Sequence, residues 1–248
     1  MDRKMELKER IFFDRMLRIP WIKKGLLEKL RVAVVGLGNT GSYTATMLYG
    51  LGLKELWLID KDEVELSNIQ RQFIYSEDSL RKPKAECARE FLLSRFSGMK
   101  TRIKAVIADI RYFTGLDFDF VFCCVDNNSA RKAVLEKCLE KRIPLIDMGL
   151  EFHESQAGHV ILVDRERLQE GACVNCYMDL SRDNYRGGCI AAGIPYSGAS
   201  VASAAVGMFL HHLMKPRRVN YYFIDFNSAD SGFMFLKRRE SCEVCGDE

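Results

Sequence analysis

The sequence predicts an α/β fold built on a doubly wound, mostly parallel sheet with helices on both faces. Apolar, β-branched runs alternate with helical stretches through the first 163 residues, which is the pattern of repeated βαβ units. The first of these runs, residues 32–35, leads directly into Gly-Leu-Gly-Asn-Thr-Gly at residues 36–41. A strand, a turn of this kind and a helix together indicate a Rossmann-like nucleotide-binding unit.

Basic and apolar residues alternate at helical spacing over residues 5–30, which predicts one or two helices before the sheet. We expect strands over residues 32–35, 54–60, 101–108, 117–124, 144–148 and 158–163. We expect helices over residues 42–51, 83–96, 127–140 and 196–214. Residues 220–225 and 232–236 are typical of an added antiparallel hairpin. We interpret the chain as one domain, with an N-terminal helical segment (1–30), a Rossmann-like core (31–163) and a final segment (164–248).

Composition and charge limit the possible functions. Hydrophobic residues make up 48% of the 248 residues, charged residues 29%, and the net charge is only +3. We therefore expect no strong bulk attraction to nucleic acid or to an anionic membrane. The charged N-terminus lacks the apolar stretch of an export signal, and no apolar run reaches membrane-spanning length. These features predict a cytoplasmic protein with reduced cysteines.

The glycine motif predicts a phosphate-binding turn. Gly36 and Gly38 would let backbone approach a phosphate, and Gly41 would let the helix pack closely on the strand. The helix N-terminus offers unpaired N–H groups to an anion. Asp60 ends the second strand and is placed to bind a ribose hydroxyl. This motif alone suits NAD at least as well as ATP.

Charged side chains near the ends of later strands favour ATP with Mg²⁺. Asn68 and Arg71 lie in the long loop after Asp60, Lys84 opens the next helix, and Asp126 ends the fourth strand. Cations with one acid suit a triphosphate and its metal better than a neutral nicotinamide. Taken singly, Arg71 and Lys84 could be solvated charges, and Asp126 could be a helix N-cap.

Two C-x-x-C pairs predict a structural zinc site. Cys173 and Cys176 form the first pair, and Cys242 and Cys245 form the second. Four thiolates can close a tetrahedron around Zn²⁺ and leave no open position for catalysis. Two unrelated pairs, or one redox dithiol, are the alternatives. The zinc would bind the C-terminal segment to the polar stretch after residue 163.

The ordered motifs resemble those of the ubiquitin-activating-type adenylyltransferases, especially enzymes that activate sulfur-carrier proteins of molybdopterin and thiamine synthesis. The motifs are Gly-Leu-Gly-Asn-Thr-Gly, Leu-Ile-Asp-Lys-Asp, Leu-Ser-Asn-Ile-Gln-Arg-Gln, Arg-Lys-Pro-Lys-Ala-Glu, Cys-Val-Asp-Asn, and the two cysteine pairs. The resemblance implies ATP and Mg²⁺, adenylation of the C-terminal glycine of a ubiquitin-like protein ending in Gly-Gly, and a homodimer. It also implies that Asp60 binds ribose, that Asn68, Arg71 and Lys84 bind phosphates, and that Asp126 serves the metal and pyrophosphate.

Three further positions take an expectation from this resemblance. Asn39 stands where the family usually has glycine, and we expect the loop to keep its shape because Asn tolerates unusual backbone angles. Arg15, in Phe-Phe-Asp-Arg-Met, matches an arginine that reaches into the partner subunit's site in relatives. Cys189 lies in the crossover segment, where some relatives hold a cysteine that accepts the acyl group and others stop at adenylation. Its alternative role is a small packed residue.

Rival functions remain open at this stage. A tRNA-modifying member of the same superfamily would need a basic surface, for which the chain offers only short basic clusters. An NAD-dependent oxidoreductase would use the same glycine turn. A catalytically inactive scaffold is the third alternative, and the intact charged set speaks against it.

Overall fold

The computed structural model describes residues 3–96, 98–152, 156–181 and 194–245. The described strands are β1 (Arg31–Val35), β2 (Glu55–Ile59), β3 (Arg102–Val106), β4 (Phe120–Cys123), β5 (Leu145–Phe152), β6 (Gln156–Val163), β7 (Tyr221–Asp225) and β8 (Asp230–Met234). The described helices are α1 (Arg3–Leu17), α2 (Lys24–Leu27), α3 (Asn39–Leu51), α4 (Leu66–Ile69), α5 (Lys84–Arg95), α6 (Asn128–Glu140), α7 (Val174–Tyr177) and α8 (Pro195–Met214).

The described strands form one eight-stranded sheet in the order β3-β2-β1-β4-β5-β6-β7-β8. In this order, each of the first five strands, from β3 through β2, β1 and β4 to β5, pairs in parallel with its neighbour. The pairs β5–β6, β6–β7 and β7–β8 are antiparallel. The predicted doubly wound fold with added antiparallel strands is therefore confirmed. The chain reverses its direction across the sheet between β1 and β4, and ligands of such sheets bind in the crevice at the carboxyl ends of those strands.

Each face of the sheet carries its own hydrophobic core because side chains alternate along a strand. Val34 and Phe122 lie on one face, in a core shared with buried residues of α3, α5 and α8. Val35 and Cys123 lie on the other face, with α6 and the cysteines near residues 173 and 242. The sheet is thus covered on both sides, as a parallel sheet must be.

Several element boundaries differ from the predicted ones, and the differences in α3, β5 and β6 have a clear cause. Helix α3 begins at Asn39 rather than at residue 42, because Gly38 is the N-cap and the motif itself forms the first turn. Strand β5 continues to Phe152, and strand β6 already begins at Gln156. Both are longer than predicted because their antiparallel pairing continues past the apolar runs. Cross-strand hydrogen bonding, which apolar patterning does not reveal, adds these residues.

We expected the loop to accept Asn39 because Asn tolerates unusual backbone angles, and this reason is wrong. Asn39 is the first helical residue of α3 and is absent from the described non-glycine residues with positive φ, namely Arg81, Arg142 and Ala229. The loop accommodates this residue because an ordinary helical conformation suits it. No left-handed conformation is needed.

Four cysteines outside the two C-x-x-C pairs belong to the hydrophobic core. Cys87, Cys123, Cys124 and Cys138 are all buried, and burial raises the pKa of Cys124 and of Cys138 to about 12. These thiols stay protonated and unreactive at neutral pH. Among the described helices, none has both the length and the apolar character needed to cross a bilayer.

Two glycines of α3 provide a matched test of packing. A Cβ on Gly41 would lie 1.9 Å from the Gly36 carbonyl oxygen, whereas a Cβ on Gly50 would meet nothing within 4 Å. We expect Gly41→Ala to lower the free energy of unfolding by about 1–3 kcal/mol, the usual cost of overpacking a core. Gly50→Ala should instead raise it by about 0.5–1 kcal/mol. Urea unfolding measures both, and equal stability of the two variants would contradict the close contact.

Candidate functional site

The glycine turn lies against the end of β4. Gly36 has φ +87°, and a Cβ there would lie 2.7 Å from the Cys124 carbonyl oxygen. Its N–H donates to the Ile59 carbonyl at 2.8 Å. A Cβ on Gly38 would meet nothing within 4 Å. Gly36 therefore permits the turn and its contact with β4, while the space beside Gly38 is open for a ligand.

Asp60 holds the glycine turn from β2. Its carboxylate accepts hydrogen bonds from the N–H groups of Leu37 at 2.6 Å and of Asp62 at 2.8 Å. Burial raises the pKa of the Asp60 carboxyl, and the nearby Lys84 ammonium opposes that rise. The acid therefore lies at the predicted edge of the sheet, beside the glycine turn. Its contact with ribose stays a prediction.

Lys84 brings a positive charge to the same edge. It is the first residue of α5, its side chain is buried, and its N–H donates to the Asp62 carbonyl at 2.9 Å. Within the described ranges its ammonium forms no ion pair shorter than 4.0 Å. A buried ammonium that forms no direct ion pair within the described ranges is suited to receive an anionic ligand.

Tyr75 is a site residue that the sequence analysis missed. Its hydroxyl donates to the Leu37 carbonyl at 3.0 Å and lies 3.5 Å from the Lys84 carbonyl. The ring is 4% exposed. Tyr75 thus joins the glycine turn to the start of α5. A single tyrosine in a polar loop gives no pattern from which this bridge could be predicted.

Asn68 and Arg71 lie on the loop between Asp60 and Lys84. Asn68 accepts from the Glu65 N–H at 3.0 Å as part of a capping box on α4. Arg71 donates from Nη1 to the Ser67 carbonyl at 2.6 Å. Both side chains are buried. In this structure they order the loop, and their predicted contacts with phosphate stay predictions.

Gln72 is a further polar group buried in this loop. It is 1% exposed, and its Oε1 has no hydrogen-bond partner among the described residues.

Asp126 lies beyond the end of β4 with an exposed side chain. Its alternative reading as a helix cap is wrong, because Asn127 is the N-cap of α6 and accepts from the Ala130 N–H. Asn127 also donates from Nδ2 to Asp126 Oδ1 at 3.3 Å. The β4–α6 turn approaches Gly36. The strand crossover therefore brings Asp126 to the same edge of the sheet as the glycine turn, Asp60 and Lys84.

The Asn39 side chain contacts the N-terminal end of α8. Its Nδ2 donates to the Ile194 carbonyl at 3.4 Å. A Cβ on Gly198 would lie 2.3 Å from Asn39 Oδ1, which is buried and has no hydrogen-bond partner among the described residues. The asparagine that replaces the usual glycine thus fills space left by Gly198.

Two predicted site residues are not brought to this edge by the described structure. The Arg15 side chain on α1 is 84% exposed, and its Nε lies 3.8 Å from an Asp14 carboxylate oxygen. Cys189 lies outside the described residues. The roles predicted for both residues stay predictions.

The cysteine pairs meet in one cluster. Cys173, Cys176, Cys242 and Cys245 place their sulfurs within 4.8 Å of one another. The separation is 3.8 Å between Cys173 and Cys176, 3.7 Å between Cys173 and Cys242, and 3.4 Å between Cys176 and Cys245. Four thiolates about 2.3 Å from a tetrahedral Zn²⁺ would be about 3.8 Å apart, whereas a disulfide needs about 2.05 Å. The cluster fits a metal ion, and all four thiols are free.

Surrounding donors suit thiolates in this cluster. The Arg239 N–H donates to Cys176 Sγ at 3.4 Å, and Asn175 Nδ2 donates to Cys242 Sγ at 3.6 Å. Donors of this kind commonly orient and stabilise metal-bound sulfur.

Comparisons with known proteins agree with this architecture. The model of the ThiF family matches residues 13–245. The chain is 29% identical over 226 residues to the molybdopterin-synthase adenylyltransferase of Escherichia coli (strain K12), covering 89% of this chain and 88% of that protein. It is 32% identical over 211 residues to the ubiquitin-like modifier-activating enzyme 5 of Dictyostelium discoideum, covering 76% of this chain and 54% of that protein.

A solved structure of E. coli MccB with succinimide has the same fold. Its TM-score is 0.74 at 20% identity, over 90% of this chain and 68% of that chain. The family match covers the glycine turn, the charged loop, Asp126 and both cysteine pairs. The chain belongs to the ThiF family.

Proposed function

We propose that this protein is an adenylyltransferase that uses ATP to activate the C-terminal glycine of a ubiquitin-like or sulfur-carrier protein ending in Gly-Gly. The observation that carries the proposal is the buried side chain of Lys84, which opens α5 and interacts electrostatically with Asp60, the carboxylate that holds the glycine turn. The similarity to the molybdopterin-synthase and ubiquitin-like-modifier enzymes supports this partner class.

The reaction needs positioning and cations but no general base. A C-terminal carboxylate is already ionised at neutral pH. One of its oxygens attacks the α-phosphorus of ATP, the bond from that phosphorus to the bridging oxygen breaks, and pyrophosphate leaves. Lys84 and Arg71 would hold the phosphates in line and balance the charge that develops on the leaving group. Asp60 would bind the ribose, and Asn68 would bind a phosphate.

Mg²⁺ is the second cofactor that we propose at this edge. The exposed carboxylate of Asp126 is an oxygen ligand of the kind that Mg²⁺ takes when it binds with substrate phosphates. Bound there, the ion would neutralise charge on the pyrophosphate side.

We propose zinc for the cysteine cluster, where it would link the segment around residue 173 to that around residue 242. All four sulfurs would bind the zinc, so the proposed site is structural.

We place the protein in the cytoplasm, where cysteines stay reduced and ATP is available. We treat the whole chain as a single adenylation domain.

A homodimer in which Arg15 reaches the partner subunit's site is the assembly that we propose. On α1, Leu7, Ile11, Phe12 and Leu17 are exposed, and a second subunit would cover such apolar side chains. Arg15 on the same helix would then leave solvent. Adenylation does not require Cys189, whose role as acyl acceptor stays a prediction from sequence.

The first test is ATP–pyrophosphate exchange with a Gly-Gly-ended carrier protein. Lys84→Ala should slow exchange by about 10²–10³, the typical cost of losing one charge-stabilising donor, and Asp126→Ala should abolish it. Lys82→Ala, which removes an exposed lysine of the same loop, is the matched control and should keep the wild-type rate.

A carrier without its two terminal glycines should not stimulate exchange. Normal exchange by Lys84→Ala would contradict the proposed phosphate role. Exchange stimulated by tRNA rather than by the carrier would favour the tRNA-modifying alternative.

Elemental analysis tests the metal site. We expect one zinc per chain, and we expect Cys242→Ser to lose zinc and to melt at a lower temperature. Cys138→Ala removes a buried thiol outside the cluster and should keep the metal. A purified protein without metal, in which Cys242→Ser melts like the wild type, would show that the cluster is not a zinc site.

A further inference from the structure

A buried ionic cluster lies beside the β4–α6 turn and has no part in the chemistry described above. It consists of Arg131 on α6, Asp147 on β5 and His159 on β6. Arg131 Nε lies 3.1 Å from Asp147 Oδ1, and His159 Nε2 lies 3.3 Å from Asp147 Oδ2. Their side chains are 8%, 0% and 2% exposed. We call this set the Arg-Asp-His cluster.

Stability alone is a poor explanation for the Arg-Asp-His cluster. The cost of removing charged groups from water often exceeds the attraction between them, so well-packed apolar residues would serve stability as well. The sheet also leaves room for the imidazole, because Gly149 lies opposite His159 in the β5–β6 register. A Cβ on Gly149 would lie 2.6 Å from His159 Cε1.

The guanidinium of Arg131 is held in its charged form. Burial alone would raise the pKa of the Asp147 carboxyl, but Arg131 and His159 outweigh burial and keep that pKa below its ordinary value. Burial opposes the charge on Arg131, yet Asp147 raises the pKa of Arg131 above its ordinary value, and Asp126 adds to that rise. The cluster therefore supplies a fixed, charged donor close to Asp126.

Arg131 uses this donor to hold the turn that carries Asp126. Its Nη2 donates to the Val125 carbonyl at 2.7 Å and lies 3.4 Å from the Met148 carbonyl. Val125 directly precedes Asp126. The bond therefore fixes the peptide group from which the exposed Asp126 side chain extends.

The chain after the first cysteine pair closes the other side of Arg131. Arg131 Nη1 donates to Met178 Sδ at 3.3 Å, and the Tyr177 ring packs 5.0 Å from the His159 ring. Asn128 Nδ2 donates to the Asp179 carbonyl at 3.4 Å. The guanidinium is thus enclosed between β5, β6 and this segment, and it has little freedom to move.

We propose that Arg131, held by Asp147 and His159, is a positioning residue that aims the Asp126 carboxylate at the metal-bound pyrophosphate side of ATP. The inference rests on the proposed function for the identity of the ligand. It assigns no contact with ATP to the Arg-Asp-His cluster itself. Its effect should therefore appear only where Asp126 acts, namely in the dependence of nucleotide binding on Mg²⁺.

Calorimetric titration of ATP into the full chain, with and without Mg²⁺, tests the proposal. Asp147→Asn keeps the volume of the side chain but removes the charge that holds Arg131. We expect the gain in ATP affinity on adding Mg²⁺ to fall by about tenfold or more, as for loss of a well-oriented supporting partner of a metal ligand. ATP affinity without Mg²⁺ should stay at the wild-type value.

Two further variants separate positioning from general destabilisation. Glu55→Gln removes the charge of another buried, ion-paired carboxylate, at the opposite end of its strand from the site, and should leave the Mg²⁺ dependence unchanged. In an Asp126→Asn background, Asp147→Asn should cause no further loss, because its effect passes through Asp126. If Asp147→Asn does not fold, His159→Gln can replace it, because this variant keeps the ion pair between Arg131 and Asp147. We then expect a smaller loss in the Mg²⁺-dependent gain of ATP affinity.

Wild-type Mg²⁺ dependence in the folded Asp147→Asn variant would overturn the proposal. An undiminished effect of Asp147→Asn in the Asp126→Asn background would also overturn it. Binding of Mg²⁺ and ATP needs no carrier protein, so a wild-type chain that binds both without catalysing exchange would refute adenylation alone. A wild-type chain whose ATP affinity ignores Mg²⁺ would refute the positioning role of Arg131.

Discussion

At the carboxyl end of β1 the chain turns through Gly36 and returns as α3, so closely that a Cβ on Gly41 would lie 1.9 Å from the Gly36 carbonyl oxygen. The same turn approaches the carbonyl of Cys124, the residue just after β4, where the strand order reverses. Backbone contacts this short exclude side chains at both glycines. They leave the first N–H groups of α3 directed at the crevice, where a phosphate can bind.

Charged groups are then arranged around that fixed turn by hydrogen bonds to backbone. Asp60 accepts from Leu37, and the Tyr75 hydroxyl donates to the carbonyl of the same Leu37. Asp126 is placed in a similar way, because Arg131 donates to the preceding carbonyl of Val125. Side chains that would meet ATP are thus oriented by neighbours that would not, which is a common design of binding sites.

Much of this arrangement could be predicted from sequence because its signals are local. The apolar runs predicted the parallel strands, the glycine spacing predicted the turn, and the two C-x-x-C motifs predicted the cysteine cluster that the structure contains. The missed features depend on contacts between distant segments. Asp147 and His159 look like ordinary strand residues until β5 and β6 pair, and Tyr75 shows its bridge to Leu37 only once the loop is folded. Asn39 fits for a reason that only its contact with α8 reveals.

The claim on which the account depends is that the crevice between β1 and β4 binds ATP and not a nicotinamide dinucleotide. The most direct measurement is the melting temperature of the wild-type protein with Mg²⁺ and ATP, compared with NAD at the same concentration. A ligand at a hundred times its dissociation constant stabilises the folded state by about 2.7 kcal/mol, so ATP should raise the melting temperature and NAD should not. A rise with NAD and none with ATP would contradict the account.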